Sequence, residues 1–140
     1  MKRYFFLMLV VLVSTAIKAQ TPSDKIVGVW LNEDKTTKIE IFKTGNTYSG
    51  KIVWLAQPDD ANGKPRLDKN NPDPDKRNQK ILGLTIISEL KYSNNKWSGG
   101  IFYGPKRGQY ANCSINLKSG QLLITVSKGI LSETKIWTKS

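Results

Sequence analysis

The feature that most constrains this chain is a repeated alternation of apolar and polar residues in short segments, with turn residues between them. In residues 47–55, one side of the predicted strand is largely apolar and consists of Tyr48, Gly50, Ile52 and Trp54. No window of about a dozen residues has the period of an amphipathic helix. We therefore predict an all-β chain with eight strands, at residues 26–31, 37–43, 46–55, 82–91, 96–103, 109–117, 121–127 and 133–139.

The connections between most of these segments are short, as in β-hairpins. Turn residues follow the second, fourth, fifth and sixth predicted strands, at residues 44–45, 93–95, 105–108 and 119–120. Short turns make sequential strands antiparallel neighbours. Because a flat sheet would leave two exposed edges, we expect an antiparallel up-and-down barrel, and a sandwich is the alternative. Glycines inside the strand patterns fit a curved barrel wall.

One connection is much longer than the others. Residues 56–80, between the third and fourth predicted strands, form a Pro/Asp-rich loop of 25 residues that contains four of the six prolines. A loop of this length without its own secondary structure is usually functional or disordered. Within it, Asp73 suits an N-cap and Pro74 suits the first helical position, so we predict one short helical turn that ends near Arg77.

The first 19 residues have the order of a secretory signal peptide. Lys2 and Arg3 precede an apolar run at residues 5–13, and small or polar residues then lead to Ala19. A membrane-spanning helix needs about 20 apolar residues, so this run is too short to span, and a short membrane anchor is the alternative. We predict cleavage after Ala19, or else after Ala16, and a single domain at residues 20–140 that is periplasmic or secreted.

The chain is basic, but its charge is not clustered. It carries 22 Lys and Arg residues against 11 Asp and Glu residues, and removal of the leader leaves 19 against 11, a net charge of +8. There is no long run of like charges and no basic stripe beside stacking aromatics. We therefore expect no nucleic-acid partner, and instead a loose attraction to acidic envelope polymers or lipid head groups.

The residue types that are missing exclude several kinds of chemistry. The chain has no histidine and a single cysteine, which rules out a Ser-His-Asp or Cys-His nucleophile, a His-ligated zinc and an intrachain disulfide. Cys113 alternates with Ala111 and Ile115. We therefore predict that Cys113 is a buried small apolar residue rather than a reactive thiol.

The acidic residues do not indicate a metal site or a hydrolase. Residues 68–73 lack the glycine and the distal glutamate of a calcium-binding EF-hand loop, and basic residues oppose the acids of the long loop. Glu40, Glu89 and Glu133 each lie two residues from a lysine on the same strand face. This pattern predicts surface ion pairs rather than the paired carboxylates of a glycosidase. We predict no catalytic residue, no metal and no cofactor, and a hydrolase ranks last among the hypotheses.

Aromatic residues are spread over the predicted strands. They include the four tryptophans Trp30, Trp54, Trp97 and Trp137. Aromatic side chains on strands normally pack in the core, and we expect this of most of them. The interior of a small barrel that holds one ligand is lined in the same way. The aromatic set therefore fits either a filled core or a ligand cavity.

A series of motifs runs through almost the whole chain after the leader. It consists of Gly28-x-Trp30, Gly50-Lys51-Ile52-Val53-Trp54-Leu55, Asp68-x-x-Asn71-Pro72-Asp73-Pro74-x-x-Arg77, Leu82-Gly83-Leu84, Trp97-x-Gly99-Gly100-Ile101-Phe102-Tyr103-x-Pro105, Gly108-x-Tyr110 and Trp137. Its opening resembles that of the lipocalin and calycin group. The series as a whole resembles the family called domain of unknown function 2147, which is found in exported bacterial proteins.

This resemblance implies a secreted or periplasmic domain with a lipocalin-like barrel, and no established activity or catalytic residues. The chain departs from the family pattern at Gly104, where the family usually carries Asp, and in the less aromatic segment 127–130. The resemblance therefore implies no ligand that would depend on those positions.

Our first hypothesis for function is a small-ligand or cell-envelope binding module, a monomer whose long loop lies beside one mouth of the barrel. Ligand binding or pinning of this loop is predicted for Asp68, Asn71, Arg77, Trp97, Tyr103 and Tyr110. Arg77 would suit an anionic group through bidentate hydrogen bonds, so a fatty acid or an acidic envelope fragment is the first ligand to test. The alternative is a scaffold or protein-interaction domain, which a completely filled barrel would favour.

Overall fold

A computed structural model describes residues 10–15 and 21–140, and in this structure eight antiparallel strands close into a barrel. The strands are β1 (Gly28–Asn32), β2 (Thr37–Thr44), β3 (Thr47–Leu55), β4 (Thr85–Ser93), β5 (Lys96–Gly104), β6 (Gln109–Lys118), β7 (Gln121–Lys128) and β8 (Leu131–Lys139). Each strand pairs with the next along the chain, and β8 pairs with β1. Two short 3-10 helices are η1 (Pro22–Ile26) and η2 (Pro74–Lys76). The predicted all-β, up-and-down barrel is confirmed, and the sandwich alternative is wrong.

The up-and-down order places alternate connections at the same end of the barrel. Helix η1 and the β2–β3, β4–β5 and β6–β7 turns lie at one end, which we call the closed end. The β1–β2, β5–β6 and β7–β8 turns lie at the other end, which we call the open end. The long loop, residues 56–84, also leaves and re-enters the barrel at the open end.

Helix η1 seals the closed end. Ile26, its last residue, is fully buried. The indole Nε1 of Trp30 donates a hydrogen bond to the Ile26 carbonyl at 2.8 Å, and Nε1 of Trp97 donates to the Ser23 carbonyl at 2.9 Å. Two buried tryptophans thereby use their polar atoms to hold the helix across the barrel. The sequence prediction of a first strand from residue 26 is wrong at its start, because residues 22–26 form this helical turn.

A second contact of η1 joins two titratable groups. The Tyr48 hydroxyl donates to Oδ1 of Asp24 at 2.5 Å. This hydrogen bond, followed by one from Thr21, lowers the pKa of Asp24. Burial, followed by the bond to Asp24, raises the pKa of Tyr48. Both shifts favour the state in which the neutral phenol donates and the carboxylate accepts.

A bulge in β3 changes which side chains face the interior. Lys38 pairs with Trp54 and the next residue of β2, Ile39, pairs with Ile52, so Val53 is an extra residue in β3. The alternation therefore shifts, and Trp54 is 40% exposed beneath the Lys38 ammonium, which lies 5.5 Å from the ring centroid. The predicted shared face of Ile52 and Trp54 is wrong for this reason.

The closed half of the barrel is filled by side chains. Ile41, Leu90 and Ile115 are fully buried there together with the two tryptophans. Gly100 makes room for Leu90, because a Cβ at position 100 would lie 2.6 Å from a Leu90 methyl carbon. The interior of the barrel is therefore closely packed at this end.

The predicted fourth strand is three residues too long at its start. It begins at Thr85, because residues 81–84 form a turn in which the Leu84 amide donates to the Ile81 carbonyl at 3.1 Å.

The predicted leader, residues 1–19 with both cleavage positions, lies outside the described residues except for 10–15. No helix within the described ranges is long and apolar enough to cross a bilayer.

Candidate functional site

The long loop has a defined shape of its own. Its two limbs are joined by backbone hydrogen bonds, from the Ile81 amide to the Arg66 carbonyl at 2.9 Å and from the Asp68 amide to the Gln79 carbonyl at 2.8 Å. An isolated antiparallel bridge joins Leu67 and Lys80 between these two bonds. The loop is therefore a fixed lobe, and the side chains that it carries are held in position.

A buried carboxylate lies at the base of this lobe. Asp68 is fully buried and Asn71 is 2% exposed. One carboxylate oxygen of Asp68 accepts from the Tyr103 hydroxyl at 2.7 Å, and the other accepts from Nδ2 of Asn71 at 2.7 Å. Among the described residues, Asp68 makes no salt bridge. Neutral donors alone thus compensate the buried carboxylate, and the bond from Tyr103 joins the loop to β5.

The predicted helical turn lies next to this carboxylate and is confirmed as η2. The Asp73 side chain caps it by accepting from the Asp75 amide at 3.0 Å. Arg77 follows the helix, and its Nε donates to the Asn71 backbone carbonyl at 2.8 Å. This hydrogen bond joins the Arg77 side chain to the backbone of its own loop.

The lobe also contacts the β5–β6 turn. Nδ2 of Asn70 donates to the Lys106 carbonyl at 3.0 Å. Gly108 has a φ of +62°, and a Cβ there would lie 1.8 Å from the Asn70 carbonyl oxygen. Only glycine fits this approach, for reasons of both backbone conformation and space. The lobe therefore lies against the outer wall of the barrel beside β5 and β6.

A cleft lies between the lobe and this outer wall, with a volume of about 630 Å³. Phe102 lines the interior of the barrel, so its neighbours on β5, Ile101 and Tyr103, face outward. Tyr110 pairs with Tyr103 across β5 and β6, and the two ring centroids are 4.8 Å apart. Tyr110 is 46% exposed, so its ring forms part of the cleft surface.

The buried partner of this ring pair is held in its neutral form. Burial, followed by the hydrogen bond to Asp68, raises the pKa of Tyr103. The Tyr103 hydroxyl therefore remains a donor to Asp68 through the ordinary pH range. The hydrogen bond to Asp68 and the contact with the Tyr110 ring thus both hold Tyr103 in the floor of the cleft.

A second, separate cavity lies in the barrel at the open end, with a volume of about 170 Å³. Its apolar lining consists of Ile86, Ile87, Phe102, Ile124, Val126 and Trp137. Glu133 and Lys135 alternate with Trp137 along β8 and complete the wall. Their side chains form a salt bridge of 3.5 Å at the exposed rim.

The structure brings most of the predicted site residues together. Asp68, Asn71 and Tyr103 form the buried cluster, with Tyr110 on its surface and Arg77 beside it. Trp97 is separate from them, because it is 2% exposed at the closed end against η1.

Sequence reasoning missed the residues that complete both cavities. They are Lys76, Lys80 and Ile101 at the cleft and Lys135 with the apolar set at the open end. Lys135 alternates with Glu133 and Trp137 along β8. This period-two pattern was the signal that all three side chains share one face of the strand. The loop lysines carried no signal, because nothing in the sequence says that the loop folds over β4 to β6.

The acidic residues and Cys113 are the remaining groups for which the sequence made a prediction. No three His, Cys, Asp or Glu side chains there are arranged to hold a metal ion. Glu40 pairs with Lys51 across β2 and β3 at 3.7 Å, rather than with its neighbour two residues away. Cys113 is buried as predicted, and burial raises the pKa of its thiol to about 12.

Comparison with known proteins agrees with this architecture. Residues 28–139 match the DUF2147 family, described as uncharacterized protein conserved in bacteria. Among curated proteins, none is significantly similar in sequence. Protein HP1028 from the human pathogen Helicobacter pylori, described as a lipocalin-family member, has 20% identity and a TM-score of 0.71, with 82% of each chain covered. A variant of the fluorescent protein UnaG has 14% identity and a TM-score of 0.46, with 84% of this chain and 98% of that chain covered.

Proposed function

Because the chain belongs to the DUF2147 family and folds as a lipocalin-like barrel, we propose that it is a binding protein for a small, mainly apolar ligand. The observation that carries this proposal is the cavity at the open end. It is lined mainly by apolar side chains, while the other end of the barrel is sealed by η1 and filled. A ligand would therefore enter and leave by one mouth.

The size of the cavity limits the ligand. An apolar protein cavity of about 150 Å³ is large enough to hold benzene, and the cavity here has a volume of about 170 Å³. It would hold a single ring or a short alkyl chain, and any larger ligand would extend beyond the rim. Phe102 and Trp137 supply flat aromatic surface for such a group.

The rim supplies a polar end to this site. Lys135 offers an ammonium donor and Glu133 a carboxylate acceptor, and both are largely exposed. A carboxylate or hydroxyl on the ligand would meet Lys135 while its apolar part lies among Phe102 and Val126. This arrangement suits a short fatty acid or alcohol.

We propose that this binding takes place outside the cytoplasm. The Lys2-Arg3 start, the apolar run and Ala19 support export, so we place the protein in the periplasm or outside the cell. Ligands of the cell envelope are then the relevant group. The net charge of +8 after leader removal adds a general attraction to acidic envelope components.

A scaffold role is the second candidate, and the filled closed half favours it. Ile130 and Leu131 at the β7–β8 turn are 101% and 74% exposed, which gives apolar surface outside the barrel. The cavity at the open end is the feature that a wholly filled scaffold would not need.

The proposal is tested by mass spectrometry of the chain purified from its own host. The expected result is a co-purifying molecule of the stated class that is released on denaturation and is absent from Val126→Phe, a variant in which the new ring fills the cavity. If Val126→Phe carries the same molecule in the same amount, the proposal is wrong. Titration with octanoate and 1-octanol then compares an acid with an alcohol of equal chain length.

A further inference from the structure

The cleft beneath the lobe is a second cavity, separate from the barrel interior. It lies on the outer face of β4 to β6, whereas the proposed apolar ligand lies inside the wall. Ile86 lines both spaces, so the strand itself divides them. The cleft volume of about 630 Å³ is in the range of ligand pockets of proteins, about 300–1,000 Å³.

The charge of the cleft is positive. Lys76 and Lys80 line it, and its lining contains no Asp or Glu side chain. Neither lysine makes a salt bridge within the part of the chain that the structure describes. Asp68 lies behind the floor, fully buried, and both of its oxygens accept hydrogen bonds. The cleft therefore offers two lysine ammonium groups against the one buried carboxylate of Asp68, and this excess of positive charge favours an anionic ligand.

The floor of the cleft contains two aromatic rings, which are tilted by 38° to each other. The ring of Tyr110 rests on Tyr103, and the bond from Tyr103 to Asp68 fixes the pair. Ile101 extends this surface and is 36% exposed. A ring with apolar C–H faces and polar edges, such as a pyranose, matches an exposed tyrosine better than an alkyl chain does.

The lining of the cleft also includes neutral hydrogen-bonding groups. Gln79 comes from the lobe, and Thr85 and Ser88 come from β4. Amide and hydroxyl groups both donate and accept, as sugar hydroxyls require. Together with the lysines and the tyrosine, they define the chemistry of the ligand.

From these features we propose that the cleft binds an anionic sugar, a pyranose that carries a carboxylate or a phosphate. Its ring lies on Tyr110, and its anionic group meets Lys76 and Lys80. This proposal does not rest on the proposed function, because the two ligands would occupy opposite sides of the barrel wall.

The test is calorimetric titration with digalacturonate and with glucose 1-phosphate, with neutral galactobiose as the reference sugar. We expect at least one of the two anions to bind about tenfold more tightly than galactobiose, and salt to weaken its binding. Which of the two anions binds identifies the anionic group. If neither anion binds more tightly than galactobiose, the proposal is wrong.

Variants then locate the binding. Tyr110→Ala and the double variant Lys76→Gln with Lys80→Gln should each weaken anion binding about tenfold. Lys118→Gln, an exposed lysine at the closed end, is the matched charge control and should leave it unchanged. Unchanged binding in both cleft variants would overturn the proposal. Val126→Phe, which fills the barrel cavity, should leave anion binding in the cleft unchanged, so the two sites are tested separately.

Discussion

The Tyr103 hydroxyl donates a hydrogen bond of 2.7 Å to the Asp68 carboxylate, and this bond joins the outer wall of β5 to a loop residue 35 positions earlier in the chain. The bond is buried, and Asp68 has one further side-chain donor, Asn71. This contact is one of those that fix the lobe over β4 to β6. The stability of the lobe, and the shape of the cleft beneath it, should therefore respond to loss of a single oxygen atom.

Tyr103→Phe should destabilise the protein by about 1–3 kcal/mol, because it leaves a buried carboxylate oxygen without its donor. The free energy of unfolding in urea measures this. Tyr110→Phe is the matched control, since Tyr110 is 46% exposed, and its loss should stay within about 0.5 kcal/mol. Equal losses in the two variants would contradict the role given to the Asp68 bond.

Gly108→Ala should detach the lobe, because the new methyl group would lie 1.8 Å from the Asn70 carbonyl oxygen. Gly120→Ala is the control, since its φ of +75° imposes similar backbone strain but no atom lies within 4 Å. We expect Gly120→Ala to cost about 1 kcal/mol and Gly108→Ala clearly more. Limited proteolysis should cut residues 56–84 only in the Gly108 variant. Equal resistance of both variants would show that the contact does not hold the lobe.

Ile26→Ala should destabilise the barrel by about 2–5 kcal/mol, because Ile26 is fully buried between η1 and the closed end. Ile130→Ala, at a fully exposed isoleucine, should have almost no effect. Thermal unfolding of the two variants measures the difference. A small loss at Ile26 would mean that η1 does not seal the barrel.

Cys113 should be unreactive in the folded protein at pH 8 and react with a disulfide reagent once the chain is unfolded. Burial raises its pKa from 9.0 to about 12. As the pH rises, the thiol therefore loses its proton in the unfolded chain before it does so in the folded protein. The stability gained from this is complete below pH 9 and is lost as the pH rises towards 12. Cys113→Ala should reduce the alkaline loss of stability. Rapid labelling of the native thiol would contradict this account.

The strand alternation was sufficient to predict an antiparallel all-β fold and to favour a barrel over a sandwich, because period-two patterns and short turns leave few other arrangements. Ile26 and Trp54 show what the alternation alone could not predict. Ile26 has an apolar side chain that suits either a strand or a sealing helix, and its neighbours decide between them. Trp54 faces outward because Val53 is an extra residue opposite β2, and a bulge depends on the partner strand as much as on its own sequence.

The candidate site was predicted only in part. The Asp73-Pro74 pair indicated η2, since capping is a local interaction. The bond between Asp68 and Tyr103 connects two distant segments, and no local pattern encodes it. The family resemblance identified Asp68, Asn71 and Arg77, but the lysines of the cleft follow only from how the lobe lies on the barrel.

The central claim is that the open end of the barrel holds a small apolar ligand, and calorimetric titration with octanoate and 1-octanol tests it most directly. Val126→Phe fills the cavity, and Thr125→Phe places the same ring at the neighbouring position, whose hydroxyl contacts Thr134 on the exposed face. We predict that the unmodified chain and Thr125→Phe bind at least one of the two compounds, and that Val126→Phe binds it about tenfold or more weakly. Failure of the unmodified chain to bind either compound, or equal binding by Val126→Phe, would contradict the claim.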